Sequence, residues 1–249
     1  MAGVKQPLML ASNQLHELPP TDLILIATPD DAIAETAKKL VNLKTGKRRP
    51  TVLHTSGALS SDVLFPLLAA GFQTGSIHPL VSISEPVAGA AALRGAFYCL
   101  EGTAKAKTLA RGIVKDLAGT SITIKPEDKA LYHAAAVMAA PHLITLFDVA
   151  LDLLSACGLT KKQAQKVFMP LLESIVNNLK TSTPEQSLTG TFARGDIETV
   201  RKHLNALTKA GVPQALEVYK LLGLRALQLA EKNRLDPKRA KAISELLKK

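Results

Sequence analysis

Three strand-like runs in the first third of the sequence end in side chains able to hold or move a proton. Leu23-Ile24-Leu25-Ile26-Ala27 leads into Thr28-Pro29-Asp30-Asp31, Thr51-Val52-Leu53 into His54-Thr55-Ser56-Gly57, and Thr74-Gly75-Ser76-Ile77 into His78-Pro79. In an open parallel α/β sheet, ligands bind at the carboxyl ends of the strands. Such a sheet gathers these polar groups on one rim, where they offer proton transfer or orientation of a small molecule. Imidazole ordinarily titrates near neutral pH, so His54 and His78 are candidates to donate a proton or orient a carbonyl. Pro79 restricts His78 to extended backbone and so holds its ring at the rim. His133, in Tyr132-His133-Ala134-Ala135-Ala136, is a third candidate. It lies where the sequence changes texture, and clefts between domains are common ligand sites.

Each group also has a plainer explanation. Thr28 as a cap, Pro29 at the first helical position and acids in the first turn describe an ordinary helix start. Capping and ligand contact by Thr28, Pro29 and Asp30 are compatible. His54-Thr55-Ser56-Gly57 lacks the Gly-x-Ser-x-Gly frame of a nucleophile elbow and reads equally as a ligand contact or a satisfied turn. His133 alone reads as a core or capping histidine. The three histidines match no short metal-ligand spacing, and no Cys pair or His-Glu-x-x-His helix accompanies them, so no metal is expected. Further on, Leu188-Thr189-Gly190 and Ala193-Arg194-Gly195-Asp196 form a loop with a lone cation. Asp196 can cap the next helix, and the planar fork of Arg194 can clamp an anionic group. Lys47-Arg48-Arg49 precedes the second strand, which puts it at the opposite end of the sheet and excludes it as a phosphate site there.

The elements that must position these residues alternate up to about residue 125. Strands are expected at 22–27, 51–54, 73–77, 96–100 and 120–124, with helices at 30–43, 60–70 and 104–118 and a shorter turn near 87–93. Apolar runs alternating with helical patterns imply βαβ units and a parallel sheet. Beyond Pro126 strand signals stop, and helices are expected at 127–157 (kinked at Pro141), 160–179, 196–210, 213–233 and 237–248. The expected architecture is α/β followed by all-α, with domains at 1–125 and 126–249.

Composition narrows the function. The net charge is +10, but aromatic residues are 4% of the 249 and Trp is absent, so stacking platforms for nucleic acid are lacking. The charge reads as a solvated surface. Cys99 and Cys157 sit in apolar company and fit a reduced, cytoplasmic setting. The apolar stretch Ala134–Leu154 is broken by His142, Asp148 and Asp152, which argues for a buried or interface helix and against a membrane span.

The motifs quoted above, with Asp22 to Asp31 and Gly75-Ser76-Ile77-His78-Pro79-Leu80, occur in an order that resembles one bacterial family. That family pairs a Rossmann-like NAD(P)-binding domain with a helical domain of unknown function, DUF2520. The resemblance runs from about Leu18 to Ala230. It extends to the pyrroline-5-carboxylate reductase and 6-phosphogluconate dehydrogenase group, whose helical domains build dimers. It implies an oxidoreductase using NADP or NAD on a small molecule. Thr28, Pro29, Asp30, Thr55, Ser56 and Gly57 would border the cofactor, His54, His78 and His133 would serve catalysis, and Thr189 and Arg194 would bind substrate. The competing class is a non-catalytic nucleotide- or metabolite-binding sensor. Relatives open with a strand and Gly-x-Gly-x-x-Gly, a unit this sequence does not show. The expected sheet is therefore a truncated Rossmann-like one with weak dinucleotide binding, and the expected assembly is a homodimer through the helical domain.

Overall fold

Five strands form one sheet in the order β1-β2-β3-β4-β5. They are β1 (Leu23–Ile26), β2 (Thr51–His54), β3 (Gln73–Pro79), β4 (Phe97–Gly102) and β5 (Thr120–Thr123). The computed structural model describes residues 18–43 and 49–249, apart from the side chains of residues 86–88. Residues 7–11, which by sequence offer one further, weak strand candidate, and the basic residues Lys47 and Arg48 lie outside the described residues. Between the strands run α1 (Asp30–Val41), a 3₁₀ turn (Ser61–Leu64), α2 (Phe65–Ala69), α3 (Pro86–Ala92) and α4 (Ala104–Asp116).

The strand positions agree with expectation, but the directions of β4 and β5 do not. β1, β2 and β3 are parallel, β4 runs antiparallel to β3, and β5 is parallel to β4. The physical reason lies in the link. A parallel return needs a crossover the length of the sheet, but α3 has 7 residues, about 10 Å at 1.5 Å per residue. The chain instead leaves and re-enters at one end, where the Leu80 N–H donates to the Phe97 carbonyl at 2.8 Å.

Two apolar clusters flank the sheet. Ile26, Ile33, Ala37, Leu40, Val52, Leu64, Leu67 and Phe72 form one, and Leu53, Ile77, Tyr98, Leu100, Ala106, Ala110 and Val114 the other. At 25 cal/mol per Å² of apolar area, a buried Leu, Ile or Phe contributes about 1.5–3 kcal/mol. These clusters therefore fix which way each strand faces. The alternation leaves His54, Ser76 and Glu101, register partners on β2, β3 and β4, as polar groups buried in the sheet at 0%, 1% and 1% exposure.

After β5 come α5 (Lys129–Ala139), α6 (Pro141–Ala156), α7 (Lys161–Thr181), α8 (Pro184–Ser187), α9 (Gly190–Arg194), α10 (Ile197–Ala210), α11 (Ala215–Lys232) and α12 (Pro237–Leu247). The single long helix expected at 127–157 is interrupted at Ala140, φ −124° and ψ −74°, because Pro141 disfavours helical backbone in the residue before it. By length and composition the stretch Pro126–Ala156 is apolar enough to cross a membrane, but it carries a buried lysine bonded into the sheet (below). The chain divides into compact units at Met1–Pro141 and His142–Lys249, so α5 belongs with the sheet. The second unit has its own core of Val200, Leu227, Ala230, Leu235, Ala240, Ile243 and Leu247. Thr160 opens α7 with a reciprocal capping box, and the Asp236 carboxylate accepts from the Lys238 N–H at the start of α12.

Candidate active site at the carboxyl end of β3

The segment after β2 is a turn tied down by its own side chains. The Ser56 N–H donates to His54 Nδ1 at 3.2 Å. The Ser56 hydroxyl accepts from the Ala58 and Leu59 N–H groups and donates to Asp30 Oδ2 at 2.8 Å. That last bond joins the β2 turn to the start of α1. Thr28 is not the cap of α1: Pro29 holds that position, and no side chain caps the helix. Thr28, Pro29 and Asp30 are exposed on the rim.

His54, expected to line the rim, is instead fully buried. Its Nδ1 accepts a bond, so the ring is neutral with its proton on Nε2, and Nε2 has no hydrogen-bond partner. His78, two residues past Ser76 on the same face, is half-buried at the rim. Its Nδ1 is 2.8 Å from the Tyr132 hydroxyl, and its ring meets that of His133 edge-on at 5.9 Å. Gly57 is the closing piece. A Cβ there would lie 2.4 Å from His133 Cδ2 and 2.7 Å from His78 Nε2, too close for any side chain.

Lys129, which sequence reasoning passed over, is 1% exposed at the start of α5. Its Nζ donates to Ser76 Oγ at 2.7 Å and lies 5.7 Å from the Tyr132 ring centroid. In sequence it follows Glu127 and Asp128 and looks like one more solvated charge. Only the return of α5 over β3 reveals it. Glu101 was also missed. It accepts from both the N–H and the hydroxyl of Ser61.

Burial dominates the electrostatics. It pushes the His54 imidazole down to about 4, with the Lys129 charge adding to the effect and the Ser60 carbonyl and Asp30 opposing it. Burial, Lys129 and His133 together push His78 down to about 4. The expectation that these rings titrate near neutrality is thereby corrected. Burial also lowers Lys129, against the upward pull of Cys99, Glu101 and Asp30. The Tyr132 hydroxyl is raised by burial and by Cys99 beside it.

The sign of the pH dependence follows. An unfolded histidine takes its proton near 6.5, and these rings resist it until about 4. Between those values the unfolded chain binds more protons. The stability these neutral rings contribute is therefore complete above 6.5, falls as the pH drops, and levels off below about 4. For His54 the loss is on the order of 3 kcal/mol. His78 adds less, because solvent screens it. Urea midpoints measured above pH 6.5 and near pH 4 should show this loss, and His54→Ala should abolish much of it. A midpoint independent of pH would contradict the assignment.

Arg49 precedes β2, stacks over Phe72 at 4.7 Å and lines a cavity of about 820 Å³ with Asp22, Thr51, Gln73 and Lys105 at the opposite end of the sheet. In the second unit, Arg194 places Nε and Nη2 on one Asp196 oxygen at 3.0 and 2.8 Å. The Asp196 carboxylate is thus engaged and does not cap α10. Thr189 is the uncapped start of α9.

Known proteins share this architecture. Protein TM1727 from Thermotoga maritima superposes with a TM-score of 0.73 at 24% identity, over 88% of this chain and 83% of its own. A Plasmodium falciparum pyrroline carboxylate reductase with NADP bound gives 0.59 at 15%, over 98% and 86%. An imine reductase from Pseudomonas sp. gives 0.57 at 19%, over 95% and 82%. Identities this low establish the fold: a Rossmann-type sheet followed by a helical domain. No curated protein matches the chain by sequence. Residues 96–226 match the family described as Domain of unknown function (DUF2520). The match runs from β4 through Lys129, Tyr132 and His133 into α11 and spans more than half of the sequence, and on that ground the chain belongs to the DUF2520 family.

Proposed function

We propose that the protein is an NAD(P)-dependent oxidoreductase acting on a carbon–oxygen or carbon–nitrogen double bond of a small molecule, with His78 and Tyr132 managing the proton. The observation that carries this reading is the His78–Tyr132 hydrogen bond at the rim, beside the buried ammonium of Lys129. Two of the structural relatives are reductases, one with NADP bound, and they support the reading through fold alone.

When bound, the nicotinamide supplies hydride to the substrate carbon. The chain's residues supply the rest. Held near 4, His78 is no imidazolium at neutral pH, so it serves as a neutral relay. Its Nε2–H gives a proton to the substrate heteroatom, and Nδ1 takes the hydroxyl proton of Tyr132. The ring stays neutral with its tautomer exchanged, and the negative charge passes through Tyr132 beside Lys129 only until solvent returns a proton, since burial disfavours the phenolate. Gly57 leaves Nε2 approachable, since a Cβ would fill the space before it. At α1, the exposed Thr28 hydroxyl and the uncapped first turn suit ribose hydroxyls. Asp30 and Asp31 in that turn oppose a phosphate there.

The test is titration with NADPH and with NADH up to millimolar concentration, followed by consumption of the reduced nicotinamide with cyclic imines and 2-oxo acids. Saturable binding and turnover of one compound class are expected. Binding of neither cofactor overturns the reading.

A further inference from the structure

Two opposite charges are buried on either side of one hydroxyl. Glu101 on β4 and Ser76 on β3 are register partners, and Ser76 Oγ accepts from Lys129 Nζ. Both Glu101 and Lys129 are 1% exposed. Each is held by neutral groups: Glu101 by the N–H and hydroxyl of Ser61, Lys129 by Ser76. Burying either charge alone costs several kcal/mol, and breaking one of a compensating pair leaves the other uncompensated.

The other groups facing Lys129 are poorer counter-charges. Asp30 of α1 is exposed and committed to Ser56. His54 of β2 and His78 of β3 are neutral. Cys99 of β4 has its thiol pushed up by burial and is uncharged at neutral pH. Tyr132 on α5 is raised too, and His133 packs against His78. Glu101 is therefore the one buried carboxylate facing the lysine among the described residues. Its oxygens also fasten Ser61, which opens the 3₁₀ turn after a gap of three residues beyond the His54–Gly57 segment.

We propose that Glu101 is a positioning residue that keeps Lys129 charged and, through Ser61, holds the rim segment in place, so that one carboxylate couples the charge of the site to its shape. This uses the same site as the proposed reaction, but its test reads Lys129 directly.

The experiment is NMR titration of protein labelled with [ε-¹³C]lysine, with Lys129 assigned from the signal lost in Lys129→Met. Removing a negative charge disfavours the ammonium. Glu101→Gln should therefore lower the Lys129 pKa by at least about one unit, a tenfold loss of proton affinity, and Asp30→Asn should lower it less. Ser61→Ala keeps the charge and should leave the pKa in place while speeding amide exchange across Ser56–Leu64. If Glu101→Gln does not fold, Glu101→Asp keeps the charge at shorter reach and should behave as Ser61→Ala does. An unchanged Lys129 pKa in Glu101→Gln, or one lowered equally by Ser61→Ala or Glu101→Asp, overturns the proposal. No readout involves cofactor or turnover, so failure here is distinguishable from failure of the proposed reaction.

Discussion

Replacing Leu171 and Ile175 together with glutamate is expected to convert a dimer of about twice 26.5 kDa into monomer or unfolded chain. The proposal of a homodimer rests on α6 and α7. Of the 16 residues of α6 only Leu151 is buried, and of the 21 of α7 only Ala164. Leu143, Ile144, Val167, Leu171, Ile175 and Leu179 stand 43–66% exposed. Those in α7 recur at intervals of four residues and form one continuous stripe. Packing between the two helices, such as the Phe147–Phe168 edge contact at 6.4 Å, leaves that stripe bare. A second copy presents an identical uncharged stripe of the same length, which makes it the matching occupant. Across two copies the substitutions remove four apolar side chains, at about 1.5–3 kcal/mol each, and place charges there. Dissociation should strengthen at least about a thousandfold. Light scattering that finds the unaltered protein monomeric at micromolar concentration would end the idea.

The second large effect is expected at the relay. Tyr132→Phe removes the hydroxyl proton and His78→Ala the group that passes it on. Each should lower kcat by about 10²- to 10⁴-fold, the usual contribution of a positioned proton donor, with cofactor binding little changed. His54→Ala should act differently. It leaves the Ser56 N–H without its buried acceptor, so stability falls more than the proton step does. Arg49→Gln, at the other end of β2, should leave turnover unaltered. Near-normal kcat in both relay variants together with a damaging Arg49→Gln would place the site at the wrong end of the sheet.

Much of this was legible in the sequence because local chemistry decided it. The run Leu23–Ile26 and the apolar pair inside Thr51–His54 admit little but strands, although at the sheet edge only Ile26 of the first is buried. Thr160 with Gln163, and Asp236 with Pro237, specify helix starts through bonds made within four residues. The polar ends of the three strands determined that Thr28–Asp30, His54–Gly57 and His78 would gather, since β1, β2 and β3 are parallel. The stop of strand signals after Pro126 marked where the helices begin.

What the sequence left open depended on contacts between distant residues. The short turn expected near 87–93 was legible, but not that it would return the chain along the same end of the sheet, and the resulting direction of β4 controls the site. Because β4 and β5 run away from the rim, the chain reaches the far end of the sheet and α5 must return over β3. The return sets Lys129 on Ser76 and Tyr132 on His78, pairs separated by 53 and 54 residues. Burial then changed the chemistry of two residues that the sequence had singled out. His54 and His78 look like near-neutral titrating groups by type, but the desolvation that only packing supplies keeps both uncharged. For Lys129 and Glu101 the sequence offers two ordinary charges. Their opposition across Ser76 is a property of strand register, which fixes which side chains share a face and which water can reach.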